Sequence, residues 1–187
     1  MLTFWAARAL LVLHTALGVG AVASGTHLVI WLRRYVRGAH NRRAVLKFAW
    51  WFFALQLGAF TLGVTMYPTY KVEIRTAYLE NQPALAVEQA ARAHAIGSVE
   101  KADARDEPAT ADLVKRAAKA ARWFDVKEHW IALGLLLSAA TLLVLSLWQP
   151  EDGPALSPIL LAMATIAAGT TWLGAIIGVL TAAWRAV

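Results

Sequence analysis

Four stretches of the chain carry no charged side chain: Ala9 to Leu32, Phe48 to Tyr70, Trp130 to Pro150 and Gly153 to Trp184. Each holds the roughly 20 apolar residues a helix needs to cross a ~30 Å hydrocarbon core. Apolar side chains run around these segments without leaving a polar face, which suits a lipid solvent. The pattern predicts four transmembrane helices, over about Ala9–Leu32, Val45–Tyr67, Glu128–Trp148 and Leu156–Trp184. Residues 69–127 read differently, as charged and mostly helix-forming sequence. Pro68 predicts the end of span 2, or a kink. One helix is expected to continue to Glu80, closed by Asn81-Gln82-Pro83, and a second to cover Ala84–Ile96, stopped by Gly97. Ser98–Pro108 is expected to be a loop, and a third helix to start near Thr110 and run on into span 3.

The fold class that follows is all-α: an integral membrane four-helix bundle with an extramembrane helical segment between spans 2 and 3. Residues 1–68 carry spans 1 and 2 and a basic loop, 69–127 form the extramembrane cap, and 128–187 carry spans 3 and 4. The short turn Gln149–Pro154 makes spans 3 and 4 antiparallel neighbours. The N-terminal run continues past Ala21-Val22-Ala23 and has only Arg8 before it, so it reads as a retained span and not as a cleaved signal.

Composition agrees, with 59% hydrophobic and 16% charged residues. The net charge of +6 does not point to nucleic acid. Arg33, Arg34, Arg37, Arg42, Arg43 and Lys47 lie in one short loop without an acid, as cytoplasmic loops do beside anionic headgroups. Segment 68–128 is balanced, with ten basic and ten acidic residues. Loop 33–47 is therefore expected in the cytoplasm and residues 69–127 on the outer side. The Ala/Arg/Leu-rich bias suggests a bacterial inner membrane. Trp5, Trp31, Trp50, Trp51, Trp123, Trp130, Trp148 and Trp184 fall near span ends, where indoles settle at headgroup level, and only Trp172 falls mid-span. With no cysteine, thiolate metal sites, iron–sulfur clusters and c-type haem attachment are excluded.

Small residues at close spacing mark packing faces: Gly18, Ala21 and Gly25 on span 1, Ala54/Gly58 and Ala59/Gly63 on span 2, Gly174/Gly178 on span 4. The last pair would serve bundle packing or a homo-oligomer equally. Ionisable groups inside a membrane are costly and each needs an account. His14 shares the glycine face of span 1, since Gly18, Ala21 and Gly25 fall within about 40° of it at 100° per residue. An imidazole beside glycines suits an axial haem ligand, because glycine leaves room for the macrocycle; the plainer reading is a neutral histidine bonded to a carbonyl or hydroxyl. His129, at the head of span 3, is the expected second ligand, offset in depth by on the order of 7 Å. Arg8, Tyr70, Lys71 and Arg75 gather at the same rim and would suit haem propionates or lipid phosphates. His14 and His27 bear a partial resemblance to the paired histidines of cytochrome b, but the step between them turns about 220° and no histidine on spans 2 or 4 completes an inner site. Gln56 reads as an interhelical hydrogen-bond donor.

Two functions are expected from different classes. One is a b-type haem electron-transfer subunit, linked to quinol and a redox protein partner, with His14 and His129 on the iron. The other is a cofactor-free accessory or scaffolding subunit, part of a larger membrane complex, that docks a partner through its extramembrane helices. No Ser/His/Asp set, Gly-rich phosphate loop or glycosidase-like carboxylate pair is visible.

Overall fold

The computed structural model describes residues 4–95, 111–149 and 153–182, and side chains over 5–91, 114–149 and 153–181. The described residues are helical apart from short connections: α1 (Phe4–Tyr35), α2 (Arg42–Thr69), a π-helical segment (Tyr70–Leu79), α3 (Gln82–Ala95), α4 (Ala111–Leu147), a 3-10 turn (Pro154–Leu156) and α5 (Ser157–Ala182). Four helical runs are long and apolar enough to cross a membrane: Trp5–Tyr35, Arg42–Leu79, Val114–Leu147 and Pro154–Thr181. The loop expected over Ser98–Pro108, the start near Thr110, the tip of the 149–154 turn and Trp184 lie outside the described residues.

Local chemistry explains the boundaries. After α1, Gly38 takes φ +93° and two bonds close the turn, Gly38 N to Tyr35 O (3.0 Å) and Ala39 N to Arg34 O (3.1 Å). This is a Schellman ending, and the left-handed position is why a glycine stands there. Asn41 then starts α2 and donates from Nδ2 back to Trp31 O at 3.0 Å, folding the second helix onto the first.

Pro68 does not end the second helix; it lies inside α2. A proline lacks the N–H for an i−4 bond and its ring crowds the carbonyl one turn earlier. Two residues on, the backbone widens into the π segment, seen at its end in the bond from Glu80 N to Arg75 O at 2.9 Å, five residues back. The run stops at Leu79. Asn81 Oδ1 accepts from Ala84 N (3.3 Å), which places Pro83 in the first turn of α3, where its missing N–H costs nothing. From Ala111, α4 runs unbroken to Leu147, the continuity expected from sequence.

The extensive helix contacts are α1 with α2, α4 with α5, α1 with α5, and α2 with α4. Neighbours run antiparallel, as three sets of residue pairs show. Gly25 faces Phe52, Gly58 faces Leu17 and Gly63 faces His14 between α1 and α2. Gly134 faces Thr170, Gly174 faces Ile131 and Gly178 faces Lys127 between α4 and α5. Arg42 reaches Ser146 O at 3.1 Å at one end of α2 and α4, and Arg75 reaches Asp125 at the other. The Gly174/Gly178 pair, open to two uses from sequence, receives Ile131 and Lys127 of the same chain.

The larger core cluster lies towards the basic loop and includes Leu28, Leu32, Val45, Phe52, Leu142, Leu145 and Leu160. A second joins the π segment, α3 and α4 through Tyr78, Leu79, Leu85, Ala117 and Ala121. The outward faces of the long helices stay apolar, with Val12, Leu136 and Val179 each 70% exposed.

Candidate functional site at the capped rim

Of the ionisable side chains singled out from sequence, His14, His129, Tyr70, Lys71 and Arg75 lie towards the end of the helices nearest the π segment, and His27 lies towards the basic loop beside Phe48. His14 is half-buried on α1. Its Nδ1–H donates to Ala59 O of α2 at 2.8 Å, and a β-carbon at Gly63 would stand 3.4 Å from its Cε1. Ala59 and Gly63, read from sequence as a packing stripe, therefore seat one imidazole. The bond to a carbonyl sets the tautomer, leaving the lone pair on Nε2.

Lys127 lies on the seam between α4 and α5. Its Nζ is 3.2 Å from where a Gly178 β-carbon would be, and 5.5 Å from the centroid of the Phe124 ring. Tyr70 stacks on the same Phe124, with ring centroids 3.8 Å apart and planes 15° from parallel, and Tyr67 tilts against Tyr70 at 6.4 Å. Two aromatic residues and a lysine thus share one contact, which ties the π segment to α4. Arg75 completes the tie. Its Nε bonds Glu80 and its Nη1 bonds Asp125, each at 2.7 Å. The π turn aims Arg75 at α4, and both acids are partly exposed, so the pairs are screened by water.

The structure brings some of the expected site residues together and separates others. Tyr70 and Arg75 share the rim with His14, but Tyr70 is occupied with Phe124 and Arg75 with two carboxylates. Lys71 and Arg8 are exposed. His129 is also exposed, and its Nδ1–H donates to Asp125 O at 2.8 Å, one turn back on its own helix. His14 faces α2, and α1 and α4 do not share one of the extensive helix contacts. The hydrogen bond of His14 is thus made to α2 and that of His129 to its own helix. His27 is exposed, bonded to Ala23 O at 2.9 Å and stacked on Phe48, while the side chain of His94 lies outside the described set. Among the described residues, no group of three His, Asp or Glu is placed to hold a metal ion.

Deeper in, Gln56 is 2% exposed and donates from Nε2 to Thr171 Oγ1 at 3.2 Å, the interhelical bond expected of it. The buried hydroxyls of Ser24, Ser138, Thr141, Thr170 and Thr171 each donate to a carbonyl three or four residues back. They are satisfied locally and form no continuous chain of donors. Phe124 and Asp125 are members of the rim that the sequence reading missed, and it took Gly178 only as a packing residue. None is unusual in its own segment, and only the packing of α4 on its neighbours brings them to the site.

Comparison with protein-family models, with curated proteins and with solved structures finds no match.

Proposed function

We propose that the chain is an integral membrane four-helix bundle that acts as an accessory or scaffolding subunit, presenting its extramembrane helices to a partner. The observation that carries this reading is the continuity of α4. At 1.5 Å per residue, its 37 residues extend about 55 Å. That exceeds a ~30 Å hydrocarbon core by several turns. With α2 and the π segment beside it and the Arg75–Asp125 tie between them, the projecting end is a stiff stalk under α3. A stalk of this kind holds a docking surface at a fixed height and orientation. Photo-crosslinking from Val72 and Val87, both more than half exposed on the projecting part, tests it in native membranes. One discrete adduct, lost when α3 is replaced by a flexible linker, is the expected result; a chain that crosslinks to nothing there would count against docking.

A haem-bearing reading is second, and the geometry of His14 favours it. Its Nδ1–H is held by a carbonyl, the second-shell arrangement that orients an imidazole for metal ligation through Nε2. The residues present fit a single axial ligand from His14. The exposed, self-bonded His129 does not fit as its partner. Haem b bound here would supply one-electron chemistry between a quinol and a redox partner, and His14 would hold and orient it. Protein purified after expression with haem supply decides the matter: a Soret band lost in His14→Ala supports haem, and no band in the wild type ends that reading. In both readings the bundle sits in a bacterial inner membrane, with loop 33–47 in the cytoplasm and residues 69–127 outside.

A further inference from the structure

We propose that Lys127 anchors a binding site for the phosphate of an anionic glycerophospholipid at the capped rim, an inference that rests on the membrane reading above. Its ammonium is placed where an acceptor is needed and the described residues provide none. Among the described residues, no carboxylate stands within ion-pair distance of Nζ and no oxygen accepts a hydrogen bond from it. Asp125, two residues away, is engaged by Arg75, and Glu128 makes no ion pair with its neighbour. The ammonium lies over the face of Phe124, and cation–π attraction leaves its three N–H donors uncommitted.

The seat itself is built for a cation. Lys127 falls one turn before Ile131 on the face of α4 that packs on α5, and both meet a glycine there, Gly178 and Gly174. A methyl group at 178 would press on Nζ, so the glycine keeps that space for the charged end of the side chain. Desolvating an ammonium without an acceptor is costly, and that cost falls away when a phosphate oxygen completes the site.

The depth identifies the phosphate as a lipid's. Trp123 and Trp130 flank Lys127 along α4 and are 45% and 44% exposed, as indoles at the headgroup level are. Lipid phosphates lie at that level. The acyl chains would lie on the exposed apolar faces of α4 and α5, where Leu133, Val179 and Leu180 are 44%, 70% and 62% exposed.

The test is native mass spectrometry of the full chain from detergent, titrated with phosphatidylglycerol, with phosphatidylcholine of the same chains, and with inorganic phosphate. Phosphatidylcholine offers the same phosphodiester but its choline sets a second cation beside Lys127, so the wild type should bind one phosphatidylglycerol several-fold more tightly than phosphatidylcholine. Lys127→Gln should lose that preference. Gly178→Ala should weaken it by displacing Nζ with the charge retained, and Lys119→Gln, exposed higher on α4, should leave it unchanged. Inorganic phosphate binding as tightly as the lipid, and lost in Lys127→Gln, would assign the same site to the free ion. An undiminished preference in Lys127→Gln overturns the proposal. Should that variant fail to fold, equal binding of the two lipids by the wild type overturns it instead. Alkaline carbonate extraction separates the two levels of inference. Protein that stays in the membrane pellet yet shows no lipid preference removes only this site, whereas protein released to the supernatant removes the membrane reading.

Discussion

At Gly134, the space a β-carbon would take is filled by Thr170 Oγ1, with Gln56 Nε2 3.0 Å away. Three helices, α2, α4 and α5, therefore close on one hydrogen atom. Gly134→Ala is expected to cost about 1–3 kcal/mol, as overpacking of a close-packed interior does, read as a lower thermal midpoint in detergent. Gly18 meets no atom within 4 Å at its β position. There the same substitution should be neutral, or stabilising by up to about 1 kcal/mol through helix propensity. The sequence marked Gly18 as a packing position and left Gly134 unmarked, and their neighbours in the fold reverse that order. His14 is the converse case. Its inward-facing side was legible from the glycine spacing on its own helix, but the seat on Ala59 and Gly63 depends on how α2 is placed against α1.

The π segment is where one element's local chemistry sets the geometry of another. Pro68 marks a disturbance in the sequence, yet the helix absorbs it by widening, and the widened turn points Arg75 at Asp125. A double-mutant cycle with Arg75→Met and Asp125→Asn should return a coupling of about 0.5–1 kcal/mol, the range for a partly exposed pair of good geometry. In a Pro68→Ala background the missing donor returns, and α-helical bonding is expected to extend past Thr69. Arg75 then rotates out of phase and the coupling should fall towards zero. A coupling unchanged by Pro68→Ala would show that the tie, and not the proline, holds the wide turn. Sequence alone could not place this segment, because a helix with i−5 bonds and one with i−4 bonds draw on the same residue types.

For the molecule as a whole, the lack of cysteine makes topology directly testable. Val87→Cys on α3 and Arg43→Cys at the start of α2, beside the basic turn, are both exposed sites and would each be the only thiol in the chain. In intact spheroplasts, a membrane-impermeant maleimide should label position 87 at once and position 43 only after permeabilisation. The reverse labelling order would invert the assignment and put the stalk in the cytoplasm. The up-and-down order of the long helices requires only that the two sites lie on opposite sides; the basic loop decides which is inside.

The four long apolar helices, the charged segment between the second and third, and the unbroken run of α4 were legible because they follow from composition along one dimension. A charge-free run has a length, and a helix converts that length into distance. What the sequence could not contain was partnership. It offered Gly174/Gly178 to a second copy of the chain or to the chain itself, and the fold gave them to Ile131 and Lys127. It offered His129 to His14, and the fold bonds His14 to Ala59 of α2 and His129 to Asp125 of its own helix. Periodicity fixes which residues share a face of one helix. Which face meets which is decided by the close packing of all of them together, and only the tertiary structure holds that information.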